Sequence, residues 1–465
     1  MRQESKKEAG QDSRRSFIQK TATAAAAVAV TNIFKTPVYG QNQAPSPGRV
    51  IGANDRINVG YIGIGKQGFN AHVRQMKEHL AEHNVTQAAC CDVSKHRVEE
   101  VKAFIEEGGG GKCDGYTEYR KLLERKDIDA ILCATVDHWH ARVSMDSMNS
   151  GKHIYVEKPM TRYLGEAFEV HDTVKKTGKI FQVGSQGCYD QKWHQAAKWV
   201  KEGKIGNLVM CQGSYMRNSP KGEWNYPIED WATSQDIDWA AWISPIHKKI
   251  DFSADHYFRW RKYQPYCAGL LGDLFPHKLH PYMLATGSPE FPTRVSAVGT
   301  KAIHTDKNTP DTPERDNPEI IEMIAEFPSG MVMHITSSSI NETGTQELIR
   351  GHKANLYMNG NRVELKPEKA FAEEIDAENS ENFAAETIPP HHANWFASIR
   401  QNKLPNANID LAIRVQTVIS LAEMSQRLGV MCNFDEKNRK ITVGDGKFIP
   451  VTELKPLTYG STELS

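Results

Sequence analysis

The chain has no excess charge of either sign: its 465 residues carry 57 basic and 57 acidic side chains. Nucleic acid and anionic membranes select a basic face, so the expected partner is a small neutral or weakly charged molecule, with no nucleic acid. Long hydrophobic runs are missing too. The mildly apolar stretch from Thr21 to Thr31 is too short to span a bilayer, which excludes stable membrane insertion through it. The eight cysteines (Cys90, Cys91, Cys113, Cys133, Cys188, Cys211, Cys267 and Cys432) show neither zinc-type spacing nor a small-domain disulfide framework. No metal is expected: His138 and His140 lack a carboxylate or cysteine partner at ligand spacing. There is no internal repeat.

What is present begins with Ser13-Arg14-Arg15-Ser16-Phe17-Ile18, followed by Lys20 and the Ala-rich run. Paired arginines, an aromatic and a short apolar segment are the order of a twin-arginine export signal. It is expected over 1–40, with Val38-Tyr39-Gly40 as a small-residue cleavage site and a leader or linker over 41–55. The expected location is periplasmic or secreted, with the twin-arginine export machinery as a partner. No cysteine follows the apolar run, so no lipid anchor is expected.

From Arg56 to about Ser185, short apolar runs alternate with helical stretches, the pattern of a parallel sheet built from crossover units. Strands are expected at Ile57 to Ile64, Val85 to Val93, Ile128 to Ala134, His153 to Val156 and Ile180 to Val183. After Gly184 a strand-rich segment follows, including Leu208 to Tyr215, Arg294 to Lys301, Ile320 to Phe327 and Met331 to Ser338, which reads as an antiparallel sheet. Two late helices, Ala393 to Gln401 and Ile409 to Leu428, are expected to pack back on the body. The fold class is α/β: a Rossmann domain over 56–185, then a substrate and oligomerisation domain over 186–465 with an open, mainly antiparallel sheet.

Gly63, Gly65 and Gly68 follow a strand and open a helix, the context a dinucleotide fingerprint needs. The first permits the tight turn, the second lets backbone approach a pyrophosphate, and the third allows close packing. Asp92, at the end of the second strand, is placed to accept from an adenosine ribose or to cap the next helix, and the roles can coexist. A carboxylate there favours NAD over NADP, although Lys95 and Arg97 stand nearby. Lys158, in Glu157-Lys158-Pro159, sits just past a strand end, where ligands bind in open α/β sheets.

These features resemble the glucose-fructose oxidoreductase, inositol dehydrogenase and MocA family, written Gfo/Idh/MocA. The resemblance runs from Arg56 past Leu428 on the glycine fingerprint, Thr135-Val136-Asp137-His138-Trp139-His140, Glu157-Lys158-Pro159, Gly272-Asp273-Leu274-Phe275-Pro276-His277, and His392 through Arg400. It implies a catalytic set of Lys158, Asp273 and His277, with His277 as base, Asp273 four residues earlier on the same helical face to orient it, and Lys158 on the reacting oxygen. It implies cofactor contacts at Gly63, Gly65, Lys66, Gln67, Gly68, Asp92, Thr135, His140, Glu157 and Lys158. Candidate substrate contacts are Gln186, Tyr189, Arg261, Tyr263 and His280, and a homo-oligomer is implied. The family's usual Thr-Pro-Asn turn reads Thr135-Val136-Asp137 here, and His280 replaces an acidic residue.

The expected activity is oxidation of a sugar, glycoside or polyol hydroxyl by an exported enzyme with tightly held, recycled NAD, because an exported protein meets no nucleotide pool. One alternative is a glycosidase or lyase acting by transient hydroxyl oxidation and elimination, with His280, Tyr189 or Tyr266 as the extra base. The other is a sugar-binding protein that kept the fold and lost the chemistry.

Overall fold

The structure, a computed structural model, describes residues 55–455 apart from 110, 247–248 and 386. The expected export signal and all of the leader except Asp55 lie outside the described residues. Residues 56–455 belong to one compact unit.

The first half holds a six-stranded parallel sheet: β1 (Ile57–Ile62), β2 (Val85–Cys91), β3 (Asp114–Tyr116), β4 (Ala130–Cys133), β5 (His153–Glu157) and β6 (Phe181–Gly184). Their order is β3-β2-β1-β4-β5-β6, so the direction reverses between β1 and β4 and opens a crevice at the strand ends. The five expected strands are all there. The sixth, β3, is a three-residue edge piece too short to show a period. The crossover helices include α1 (Lys95–Glu106), α2 (Asp137–Asn149) and α3 (Leu164–Thr177).

Both faces of this sheet are covered, as continuous apolar strands require. Val59, Tyr61, Ala130, Leu132 and Tyr155 point to one side, and Ile62, Ile131, Cys133, Ile154 and Val156 to the other. Part of the first face is covered by Trp395 and Phe396 from a late helix. All eight cysteines are buried, and none is joined in a disulfide.

After α4 (Gln191–Lys201) and β7 (Leu208–Asn218), two abutting helices follow, α5 (Leu270–Asp273) and α6 (Pro276–Ala285). The second sheet is completed by β8 (Arg294–Thr300), β9 (Ile320–Glu326), β10 (Val332–Ser338), β11 (Ile340–Asn341), β12 (Leu348–Gly351), β13 (Ala354–Tyr357), β14 (Glu364–Pro367), β15 (Glu378–Asn379), β16 (Cys432–Asp435), β17 (Lys440–Val443) and β18 (Thr452–Leu454). Its path is β15-β14-β13-β12-β7-β10-β9-β8-β16-β17-β18, with β11 paired to β7. Every pair is antiparallel except β7 with β10. Burial alternates along β8 and β9, so one face packs inward and the other is open, exposing Val298 and Ile324.

The late helices are α7 (Ile388–Gln401) and α8 (Ile409–Leu428). Asn408 caps α8 by accepting from the N–H groups of Asp410 and Leu411, a contact that contributes about 1 kcal/mol. Gly429, in the left-handed region at φ 66°, ends it. α8 lies against β8, α3 and α6. No helix among the described residues is long and apolar enough to cross a membrane.

Candidate active site

A cavity of about 690 Å³ runs along the strand ends of the parallel sheet, a size suited to a small ligand or cofactor. One end is built by the glycine loop. Gly63 sits at φ 81°, and a Cβ on it would stand 2.5 Å from the Thr135 backbone nitrogen. A Cβ on Gly68 would meet the Gly63 carbonyl at 2.2 Å. A Cβ on Gly65 would project into open space in the cavity wall, the approach a pyrophosphate needs. The turn is braced by Asp92, which accepts from Ile64 N at 2.9 Å and Ser94 N at 3.0 Å. Ser94, not Asp92, caps α1. Burial raises the Asp92 carboxyl, and the residue lines the cavity.

The other end is assembled across 115 residues of sequence. Lys158 Nζ donates to Asp273 Oδ1 at 2.6 Å and to the Asp273 carbonyl at 2.9 Å. Arg261 Nε donates to the same Oδ1 at 3.1 Å, and Trp224 Nε1 to Oδ2 at 3.0 Å. Burial alone would raise the Asp273 carboxyl, but the adjacent Lys158 and Arg261 cations hold it far below the usual range. Burial works against the Lys158 ammonium, yet Asp273 keeps it raised and charged.

Asp273 therefore does not orient His277. Pro276 starts a new helix after Leu274 and Phe275, and the carboxylate is committed to Lys158, Arg261 and Trp224. The His277 imidazole lies against the Tyr215 ring, 5.3 Å between centroids, and makes no hydrogen bond to protein among the described residues. Burial, with Lys158 adding to it, pulls His277 down to about 3, so the ring is neutral at pH 7 and able to accept a proton.

Between the two ends, Glu157 Oε1 accepts from His72 Nε2 at 2.8 Å and Gln67 Nε2 at 3.3 Å, and Oε2 from its neighbour's Lys158 N at 3.0 Å. His392 on α7 backs His72 at 2.9 Å. Although burial opposes ionisation, the His72 contacts and the nearby Lys158 hold Glu157 at about 2.

The cavity brings together Gly63, Gly65, Lys66, Gln67, Asp92, Thr135, Glu157, Lys158, Gln186, Arg261, Asp273 and His277. Other expected residues fall outside it. Gly68 serves packing. The His140 ring is held between the carbonyls of Pro159 and Thr135, bracing the lysine turn from behind. Tyr263 points at Asp255, and His280 turns to the Pro276 carbonyl within α6. Neither Tyr189 nor Tyr266 lines the cavity, so none of the three residues suggested as an extra base reaches it. His79, Glu82 and His83 are the one group of three ligating side chains within mutual reach among the described residues, and none lines the cavity.

Tyr215, Arg217, Tyr226 and Asp137 line the chamber and were not anticipated. Only the fold carries them there: Tyr215 and Arg217 lie on β7, whose period shows a face but not what that face meets. Asp137 stands where the sequence departs from the Thr-Pro-Asn turn, and that departure is the one signal the sequence offers.

A family described as "Oxidoreductase family, NAD-binding Rossmann fold" matches residues 57–185. A glycosyl hydrolase family 109 protein of Shewanella baltica is 31% identical over 214 residues, 44% of this chain and 46% of that one. An alpha-N-acetylgalactosaminidase of Shewanella oneidensis is 29% identical over 233 residues, 47% and 50% of the two chains. The chain thus matches about half the length of these relatives. Among solved structures, levoglucosan dehydrogenase with NADH and levoglucosan is similar with a TM-score of 0.61 and 16% identity, covering 81% of this chain and 99% of that one. An aldose-aldose oxidoreductase from Caulobacter crescentus gives 0.60 and 17%, covering 82% and 100%. At such identities the likeness is one of fold. With the glycine loop, the sheet order and the Glu157-Lys158-Pro159 turn in place, residues 57–185 match the NAD-binding Rossmann fold of that oxidoreductase family.

Proposed function

We propose that the chain is an exported enzyme that oxidises a hydroxyl of a sugar or glycoside and holds NAD between turnovers. One observation carries the reading: Lys158 keeps one of its three N–H donors uncommitted beside a neutral, unbonded His277, in the cavity that the glycine loop opens. The glycine loop, Asp92 and Glu157 would hold the cofactor, which supplies a hydride acceptor when bound. His277 takes the hydroxyl proton at an imidazole nitrogen. The free N–H of Lys158 binds the same oxygen and stabilises its developing charge, while Asp273 and Arg261 fix the ammonium. Arg261, Arg217, Tyr215 and Tyr226 surround the sugar.

A second reading is favoured by the names of the relatives. Oxidation at one ring carbon acidifies the neighbouring C–H, the aglycone leaves, water adds, and the hydride returns, with no net redox change. Tyr215, against His277, is the side chain placed to handle the additional proton. The open face of the second sheet, with Val298 and Ile324, supports a homo-oligomer.

The test incubates native protein with aryl glycosides and free sugars, no nucleotide added, and follows bound nucleotide by mass spectrometry and aglycone release by absorbance. Reduced nucleotide without aglycone supports the oxidoreductase, and aglycone release without accumulated NADH supports cleavage. Protein that neither carries nor binds nucleotide sinks both. Replacing Arg14 and Arg15 by lysine and fractionating cells tests export.

A further inference from the structure

At the adenosine end of the cavity, two cations stand where a nucleotide 2′-phosphate would look for them. Arg97 and Lys66 both line the wall beside Asp92. Neither is uncommitted. Arg97 Nη2 donates to both carboxylate oxygens of Glu229, at 2.9 and 2.8 Å, and Nη1 to Glu100 at 2.6 Å. Lys66 Nζ lies 3.6 Å from the same Glu229 carboxylate. Glu229 lies in the segment between β7 and α5, which carries Trp224, Trp231, Trp239, Trp242 and Trp260, 132 residues from Arg97.

That segment is pinned to the Rossmann half. Asp236 accepts from Ser94 Oγ at 2.6 Å and His96 N at 2.8 Å, and Asp238 N donates to the Val93 carbonyl at 2.9 Å. The Trp231 ring stacks on His96 at 4.5 Å, with the Arg97 guanidinium 4.9 Å from it, and Trp231 Nε1 donates to Glu229 at 2.6 Å. The carboxylate is thus held in place from both sides.

We propose that Glu229 determines the choice of nucleotide: by taking Arg97 and Lys66 into its own ion pairs, it withholds both cations from a 2′-phosphate and so disfavours NADP. The inference rests on the dinucleotide site described above. A phosphate monoester carries close to two charges and needs uncommitted cations to replace its hydration. Here it would meet the like charges of Asp92 and Glu229 instead. A 2′-hydroxyl carries no such demand and can donate to Asp92. With Asp92 alone, Arg97 would keep only its Glu100 pair and could turn its second nitrogen toward a phosphate. Glu229 removes that option.

The test measures dissociation constants of NAD+ and NADP+ by calorimetry on nucleotide-stripped full-length protein, for wild type, Glu229→Gln and Glu100→Gln. Glu229→Gln keeps the size and hydrogen-bonding atoms of the side chain and removes its charge. It is expected to tighten NADP+ relative to NAD+ by about tenfold or more, because charge-assisted pairing to Arg97 becomes available to the phosphate. Glu100→Gln, which leaves the Glu229 pair intact, should change the ratio less than about threefold. Adding Lys66→Ala to Glu229→Gln should reverse part of the gain. NAD+ binding with an unmoved NADP+/NAD+ ratio in folded Glu229→Gln overturns the role of Glu229 alone. Failure of the wild type to bind either nucleotide overturns the dinucleotide site as well.

Discussion

At the adenosine end of the cavity the cations are committed, Arg97 to Glu100 and Glu229, whereas at the chemical end Lys158 keeps an N–H and His277 its ring nitrogens uncommitted. Both ends are lined by charge, and both use a carboxylate from the second half of the chain against a cation from the Rossmann half. The difference lies in how the donors are committed. Arg97 donates to two carboxylates, Glu100 and Glu229; Lys158 donates to Asp273 and keeps an N–H for an oxygen that becomes anionic. Counting uncommitted donors, rather than charged residues, separates a recognition site from a reaction site.

The sharpest way to break that contrast is at Asp273. Asp273→Asn leaves Lys158 and Arg261 buried without their counter-charge and should cost about 3–5 kcal/mol of stability, read from urea unfolding. Lys158→Met should keep nucleotide binding and lower kcat by about 10²–10³, as the loss of one preorganised donor does. Unchanged turnover in Lys158→Met would remove the lysine from the chemistry.

Two glycine substitutions sharpen the contrast within the loop itself. Gly63→Ala puts a methyl group against backbone at a left-handed φ and should cost about 1–3 kcal/mol in thermal or urea unfolding. Gly65→Val meets open space, so stability should hold while nucleotide affinity falls by about tenfold or more. Equal stability losses in both would contradict a dedicated phosphate approach at Gly65.

The smallest effect concerns pH. The folded pKa of His277, about 3, lies below its ordinary 6.5, so folding disfavours protonation of this ring. The base form is then present across pH 5–8, and kcat/KM should show no limb near 6.5 from His277. By the same sign, its neutral burial stabilises the fold above pH 6.5, and that contribution fades as pH falls toward 3. In Lys158→Met the repelling cation is gone, and the His277 resonance in an NMR titration should move upward. No movement would mean burial alone sets the value.

Much of this was legible in the chain. β1, β2, β4, β5 and β6 are mostly apolar runs between helical stretches, and α8 fills the expected span from Ile409 to Leu428, because Asn408 and Gly429 mark its ends locally. The edge strand β3 was not legible, since three residues carry no period. The parallel pairing of β7 with β10 was hidden as well, because a strand's sequence records its faces and not its neighbour's direction. At the site, Lys158 and the glycines announced themselves by position after strands. Tyr263, His280 and Tyr189 did not: all are polar or aromatic residues near the right motifs, but side-chain direction is fixed by packing, and theirs points elsewhere.

The sequence by itself determined the Rossmann half, the glycine turn and the strand-end lysine, since each depends on backbone conformations and periodicities that a few neighbouring residues impose. Only the tertiary structure decided which charges cancel. Lys158 meets Asp273 across 115 residues and Arg97 meets Glu229 across 132, and the free energy of such pairs depends on distance and burial, which no local pattern encodes.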